Sequence, residues 1–317
     1  MSFNQELEVT DAKELLDQKG FEVVSLEKIW RNITGHVKKD GLDMFFKLAV
    51  NPTHSGGLKN EFAWNELFEA EPLANTNVQI PKNYVSGEFK ECFWFACEYI
   101  AGKALVEPDY IYVDGVAQRG PKYIVSNPAQ IRNRLPEIAQ LFKSCFEYKT
   151  DKLLPYDIAK EGRDRVESFW KITNQWVEES GRELSPLVDL ITEYFDCMLV
   201  QGISHGDFVP WHLMVDQQDR MYLIDAERGQ IKGIKFFDLA YMYHRLFAVA
   251  EAPQLANALI AELKKIYDFS EEDKRGFYAI LAQRVIAGYA EAIGNPRYIS
   301  VTMQDLLSKQ VLAREII

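Results

Sequence analysis

The chain has 317 residues, 47% of them hydrophobic and 26% charged, with 36 Lys+Arg against 47 Asp+Glu for a net charge of −11. That length suits about two domains or lobes, and the composition excludes a disordered chain, a collagen-like chain and a disulfide scaffold. The acidic balance speaks against nucleic acid, which needs a basic face, and against anionic membranes; it leans weakly toward a cationic small substrate.

The first 18 residues are acidic and polar, without a basic stretch followed by an apolar one, so no signal peptide is expected. No run of 18 apolar residues occurs, so no spanning helix is expected. Strand patterns follow at Phe21 to Leu26, at Met44 to Val50, with one lysine in an apolar run, and at Cys92 to Ile100, rich in aromatics. Asn51 to Gly57 reads as a loop, and residues 58–70 as a helix with an apolar side at Phe62, Leu67 and Phe68. Residues 103–127 show no clear periodicity and read as a loop.

Beyond them helices dominate. Asn127 to Tyr148 carries Ile131, Leu135, Ile138 and Phe142 at helical spacing, Ser185-Pro186 reads as N-cap and N1, and Ser270 with Asp273 opens another helix. The expectation is an α+β chain of two lobes, a small β-rich one over residues 1–101 and a larger helical one over 102–317. Four cysteines, Cys92, Cys97, Cys145 and Cys197, lie in apolar or helical stretches and read as reduced packing thiols in a cytoplasmic protein.

The informative stretch runs from Ser204 to Leu246. Asp207 follows His-Gly, and His212 stands five positions on. Two short apolar segments, Leu213 to Val215 and Met221 to Ile224, flank a polar turn, which is a hairpin signature. The second segment ends at Asp225, so the returning chain brings Asp225 near Asp207 and His212. Phosphoryl transfer needs one carboxylate to orient the attacking hydroxyl and take its proton, and a second, with a neutral ligand, to hold magnesium against the nucleotide. It needs a lysine on the phosphates as well. Lys47, in the middle of an apolar strand, is costly there unless it faces a cleft and an anion, and Glu61, fourteen residues later on the next helix, can pair with it; Glu66 is its rival. Glu227 reads equally as a contact to substrate or metal and as a cap. His205 reads as a core histidine that holds the loop.

These residues resemble the aminoglycoside phosphotransferase and choline kinase family, over about Trp30 to Ala290: HGD, a metal-ligand position five residues on, then I-D-x-E, then D-L-A. The resemblance implies a bilobal protein-kinase-like fold with a nucleotide-binding lobe at residues 1–101. It implies Asp207 as catalytic base, Asp225 as principal metal ligand, Lys47 with Glu61 as the phosphate-binding ion pair, and Glu98 to Ile100 as a hinge offering backbone groups to adenine. Asp238 would brace the catalytic loop, with Arg245 further along the same helix. The implied cofactors are ATP and Mg2+ or Mn2+, and the implied acceptor is a hydroxyl of an aminoglycoside, amino-alcohol or sugar.

Two departures stand out. His212 occupies a position usually held by asparagine, and imidazole suits manganese or zinc better than magnesium. The stretch 30–41 lacks a G-x-G-x-x-G phosphate loop, leaving Asn32 and Thr34 as polar residues there. Two rival readings therefore stay open: a non-catalytic nucleotide-binding relative acting through a partner, and a dedicated protein kinase. A separation of thirteen positions from Asp225 to Asp238 leaves no room for a long activation segment, which favours a small acceptor. Substrate identity, ATP against GTP and oligomeric state are not legible.

Overall fold

β-Branched and aromatic residues drive the first hundred residues into strands, because such side chains pack well on a pleated surface. The computed structural model describes residues 6–113, 116–117, 120–161 and 163–317, of which 112–113 and 116–117 by their backbone alone. A short helix, α1 (Val9–Gln18), opens the chain on a Glu8/Asp11 capping box and buries Ala12, Leu15 and Leu16. β1 (Glu22–Ile29), β2 (Asn32–Lys39), β3 (Leu42–Ala49), β4 (Asn83–Phe89) and β5 (Cys92–Glu98) form one antiparallel sheet in the order β1-β2-β3-β5-β4, and α2 (Ser55–Ala70) links β3 to β4.

Three details differ from the sequence reading. The stretch expected to hold the phosphate loop contains all of β2, whose polar residues Asn32 and Thr34 are nonetheless buried. A Cβ on Gly35 would lie 2.0 Å from the Ser25 carbonyl oxygen, which explains that glycine as a close strand approach. Helix α2 begins at Ser55, so Gly56 and Gly57 belong to it rather than to the loop.

Residues 102–124 are not one loop. They form five short strands: β6 (Gly102–Ala104), β7 (Glu107–Asp109), β8 (Tyr112–Val113), β9 (Val116–Ala117) and β10 (Lys122–Ile124). Each is two or three residues long, too short to display a period, and β6 pairs with a strand more than a hundred residues away. Then come α3 (Pro128–Glu147), α4 (Pro155–Ala159), α5 (Arg165–Ser180), α6 (Ser185–Glu193) and α7 (Phe195–Met198). The α6 cap position falls on Leu184, with Ser185 inside the helix; Glu183 supplies the acceptor for the Ser185 N–H instead.

β11 (Gln201–Ser204), β12 (Leu213–Asp216), β13 (Met221–Leu223) and β14 (Gln230–Ile234) surround the catalytic-loop candidate. β12 and β13 are the expected hairpin, and β6 adds to its other edge. α8 (Phe237–His244) ends earlier than the sequence implied, and Arg245 opens a π-helical turn, Arg245–Val249, rather than continuing the α-helix. α9 (Pro253–Lys264), α10 (Glu271–Gly294) and α11 (Val301–Ala313) complete the chain. α10 is buried around its whole circumference from Gly276 to Tyr289, as befits the central helix of a bundle, and it packs against α5, α6, α7, α8 and α11.

Two large hydrophobic clusters result. One gathers Leu15, Phe21, Phe46, Trp94 and Phe95 around the five-stranded sheet, and the other gathers Phe142, Phe208, Tyr243 and Phe277 among the helices. Trp64 and Trp94 are core residues. Among the described residues no helix is long and apolar enough to cross a membrane.

Candidate active site

Lys47 lies on β3, paired across to Thr34 on β2 and Phe95 on β5, so it sits in the middle of the sheet and is almost fully buried. Its ammonium donates to both carboxylate oxygens of Glu61, at 2.9 and 2.7 Å, and to Asp225 Oδ1 at 2.7 Å. Burial opposes the Lys47 charge, but Asp225, Glu61 and Glu227 outweigh it and the pKa rises. Glu61, and not the exposed Glu66, is the helix partner. Burial pushes the Glu61 carboxyl up and Lys47 offsets part of that rise.

Asp225 follows β13 with φ +70°, a left-handed conformation that turns its side chain out of the strand path. Burial would raise its pKa, yet the Lys47 ammonium more than compensates, so the carboxylate is held ionised. On its other side Asp225 Oδ2 lies 3.4 Å from His212 Nε2. His212 Nδ1 is 2.9 Å from the Asp207 carbonyl oxygen, which can only accept, so Nδ1 carries the proton of the neutral ring. The Nε2 lone pair then faces a carboxylate oxygen. Two acceptors at that distance repel unless a proton or metal ion lies between them, and a histidine fixed through Nδ1 by a carbonyl is oriented as metal-ligating histidines are. Asp207, His212 and Asp225 can each bring one donor atom within 4.8 Å of the others. The residues present therefore fit a divalent cation.

The loop holding Asp207 is supported from beneath. Asp238, at the start of α8, accepts hydrogen bonds from the backbone N–H groups of His205 (2.5 Å) and Gly206 (3.0 Å) and from the Ser204 hydroxyl (3.2 Å). Burial pushes the Asp238 carboxyl up to about 7 against these donors. His205 is buried against Trp64 in an edge-to-face contact, and burial lowers its pKa to about 3, so it is a neutral packing residue. Asp207 itself is half-buried, with 37% of its side chain exposed.

Two residues missed in the sequence reading, Arg31 and Asn60, join the halves of the site, together with Asn32, which that reading named. Arg31, in the β1–β2 turn, pairs with Glu227 at 2.6 Å, and Asn32 Nδ2 donates to the other oxygen of that carboxylate at 2.8 Å. Asn60 on α2 donates to the carbonyls of Ala226 and Gly229 and accepts from the Tyr156 N–H. Neither had a sequence signal, because each partner lies about a hundred residues or more away. Of the hinge residues, the Glu98 N–H donates to the Lys82 carbonyl, its side chain accepts from the Tyr222 hydroxyl, and the Ile100 carbonyl accepts from Gly102 N–H. A cavity of about 980 Å3 lined by Phe68, Leu73, Val78, Arg134 and Asp219 lies apart from all these groups.

The model of the phosphotransferase enzyme family matches residues 23–275. The chain belongs to that family. Similar solved structures of phosphotransferases agree in fold. A thermostable mutant of aminoglycoside phosphotransferase APH(4)-Ia, in a ternary complex with ADP and hygromycin B, is 13% identical and superposes with a TM-score of 0.62, covering 96% of this chain and 98% of that one. Choline kinase LicA from Streptococcus pneumoniae is 16% identical with a TM-score of 0.51, covering 96% and 98%. Its complex with AMP gives 15%, 0.55, 98% and 99%. No curated protein sequence matches the chain. The chain is thus a member of a phosphotransferase family, and it shares the protein-kinase-like fold of these solved structures.

Proposed function

We propose that this phosphotransferase uses ATP and transfers the γ-phosphate to a hydroxyl of a small molecule, with residues 1–101 as the nucleotide-binding lobe and 102–317 carrying the catalytic loop and acceptor site. The observation that carries this reading is the convergence of Lys47, Asp225, His212 and Asp207, drawn from both lobes, within one connected set of polar contacts. Lys47, held by Glu61, binds the α- and β-phosphates. Asp225 and His212 hold Mg2+ or Mn2+, which when bound neutralises charge on the phosphate oxygens. Glu98 and Ile100 present backbone groups to the adenine.

Asp207 orients the acceptor hydroxyl and receives its proton. The acceptor oxygen bonds to the γ-phosphorus as the bond from that phosphorus to the β,γ-bridging oxygen breaks, and ADP leaves. Most of the acceleration comes from positioning and fixed charge. A cytoplasmic setting agrees with four cysteines that are all free.

Asp207→Ala decides the assignment. Loss of general-base help lowers kcat by about 10^2- to 10^4-fold, while nucleotide affinity, measured by calorimetry, stays near the wild-type value. Full turnover in that variant would remove Asp207 from the reaction.

A further inference from the structure

Beside Asp207 lies a face that the reaction so far leaves unused. Trp211, between Asp207 and His212 on the same loop, stacks on Tyr123 with ring centres 3.6 Å apart, and Tyr298 meets both edge-on. Tyr241 of α8 adjoins this group. Its phenol and that of Tyr123 both feel the Asp207 charge. All four rings are half-buried rather than sealed in the core.

The floor beneath them is charged. Arg245, at the start of the π-helical turn, is 2% exposed and grips Glu291 through both terminal nitrogens, at 2.6 and 3.0 Å. Arg284, two turns before Glu291 on α10, is 5% exposed and reaches the same carboxylate only at 3.5 Å. Its Nε is buried without a hydrogen-bond partner. Among the described residues Glu291 is the one carboxylate bonded to either guanidinium, so two positive charges share one negative charge. A buried guanidinium left in that state is costly.

The same geometry argues against an ammonium group in this place. Arg245 lies 4.5 Å from the Tyr241 ring centre and 5.3 Å from that of Tyr298, and Arg284 lies 4.4 Å from Tyr241. The ring faces that would attract an amine already carry cations.

We propose that this face is the acceptor pocket and that it takes a small hydroxy acid with one carboxylate, which completes the Arg284 ion pair while a hydroxyl of the same molecule reaches Asp207. One uncompensated positive charge matches a monoanion; a phosphate monoester would bring a second charge with no partner. A planar carboxylate also suits the guanidinium fork. The hydrocarbon body of the acceptor lies on Trp211 and Tyr298. This substrate class rests on the phosphotransferase reading above.

The experiment pairs each of a panel of small hydroxy acids with its amide and with the corresponding amino alcohol, and follows ADP release from the full chain with ATP and Mg2+ or Mn2+. An acid should be the preferred acceptor over its amide by about 10- to 100-fold in kcat/KM, as expected for loss of a hydrogen-bonded charge. Arg284→Gln should raise KM for the acid by about tenfold or more while kcat changes little, and should abolish the preference over the amide. Arg284→Lys, which keeps the charge without the fork, should restore part of it. Thermal melts of both variants establish that they fold, and Arg284→Lys still reads the charge if the glutamine form does not. Preference for amino alcohols or amides, preference for phosphorylated acceptors, or an Arg284→Gln loss equal for acid and amide would overturn the proposal. If no acceptor is phosphorylated, the phosphotransfer reading fails separately. Calorimetry of the acid against its amide then decides the anion site, and equal binding of the two overturns it.

Discussion

His212 concentrates the chemistry of the site in one ring. Its Nδ1 is committed to the Asp207 carbonyl, so only Nε2 is left to meet a cation beside Asp225. Imidazole nitrogen is a softer donor than an amide oxygen, which moves preference from magnesium toward manganese. His212→Asn should therefore lower the ratio of manganese- to magnesium-supported kcat; an unchanged ratio removes His212 from the metal site. His205, two residues before Asp207, makes the opposite kind of statement. It stays neutral in the folded chain down to about pH 3, whereas an ordinary histidine binds its proton near 6.5. Below 6.5 the unfolded chain therefore holds more protons, and folding weakens as pH falls, by about 2 kcal/mol at pH 5 for this one group. Urea unfolding at pH 7 and pH 5 should show a smaller pH loss for His205→Asn than for the wild type; equal losses would mean that His205 is not buried neutral. The His-Gly-Asp spacing made both residues legible as a pair with different duties. Asn32 was legible only as a polar residue of its stretch and Arg31 not at all, because nothing in a chain without a glycine-rich loop announces that its turn reaches a carboxylate nearly two hundred residues on.

At the scale of elements, local pattern and long-range pairing give different answers. α10 and the β12–β13 hairpin were readable because periodicity and turn chemistry are local, and Ser270 with Asp273 does form the expected capping box. β2 was hidden by polar residues that are buried for reasons outside the strand, and β6 to β10 by being too short to show a period. The junction between α2 and the Asp225–Gly229 turn belongs to this second kind. Asn60 is fully buried and serves two carbonyls and one N–H that belong to other elements. Asn60→Ala would leave all three without their partner, and a single buried orphan costs about 1–3 kcal/mol. The variant should lose about 3 kcal/mol of stability by urea denaturation. It should also lower kcat, because the turn that it releases begins at Asp225. Stability within experimental error of the wild type would show that water replaces the amide and that α2 is held by apolar packing alone.

On the scale of the whole molecule, the sheet cluster and the helical cluster are separate bodies of apolar contact; α2 gives Leu58 to the first and Trp64, Leu67 and Phe68 to the second, and polar groups at the site join the two as well. Lys47 binds Glu61 on its own side and Asp225 on the other, while Arg31 and Asn32 hold Glu227 from above. Lys47 and Asp225, proposed to bind nucleotide and metal, are thus among the residues that fasten the two bodies, so ligand binding and lobe docking share a set of charges. Any ligand that binds only the docked state adds stability as its concentration rises, about 2.7 kcal/mol at a hundredfold excess over Kd. ATP with a divalent cation should raise the melting temperature of the wild type by several degrees, since a shift of this size in a chain of over 150 residues moves the midpoint by roughly 2–4 °C per kcal/mol. Lys47→Met should behave in two ways at once. Without nucleotide it melts earlier, because the buried Glu61 and half-buried Asp225 carboxylates are left facing each other. With nucleotide it gains little, because the phosphate contact is gone. A Lys47→Met protein that melts early but still gains the full nucleotide shift would assign Lys47 to fastening alone and remove it from phosphate binding.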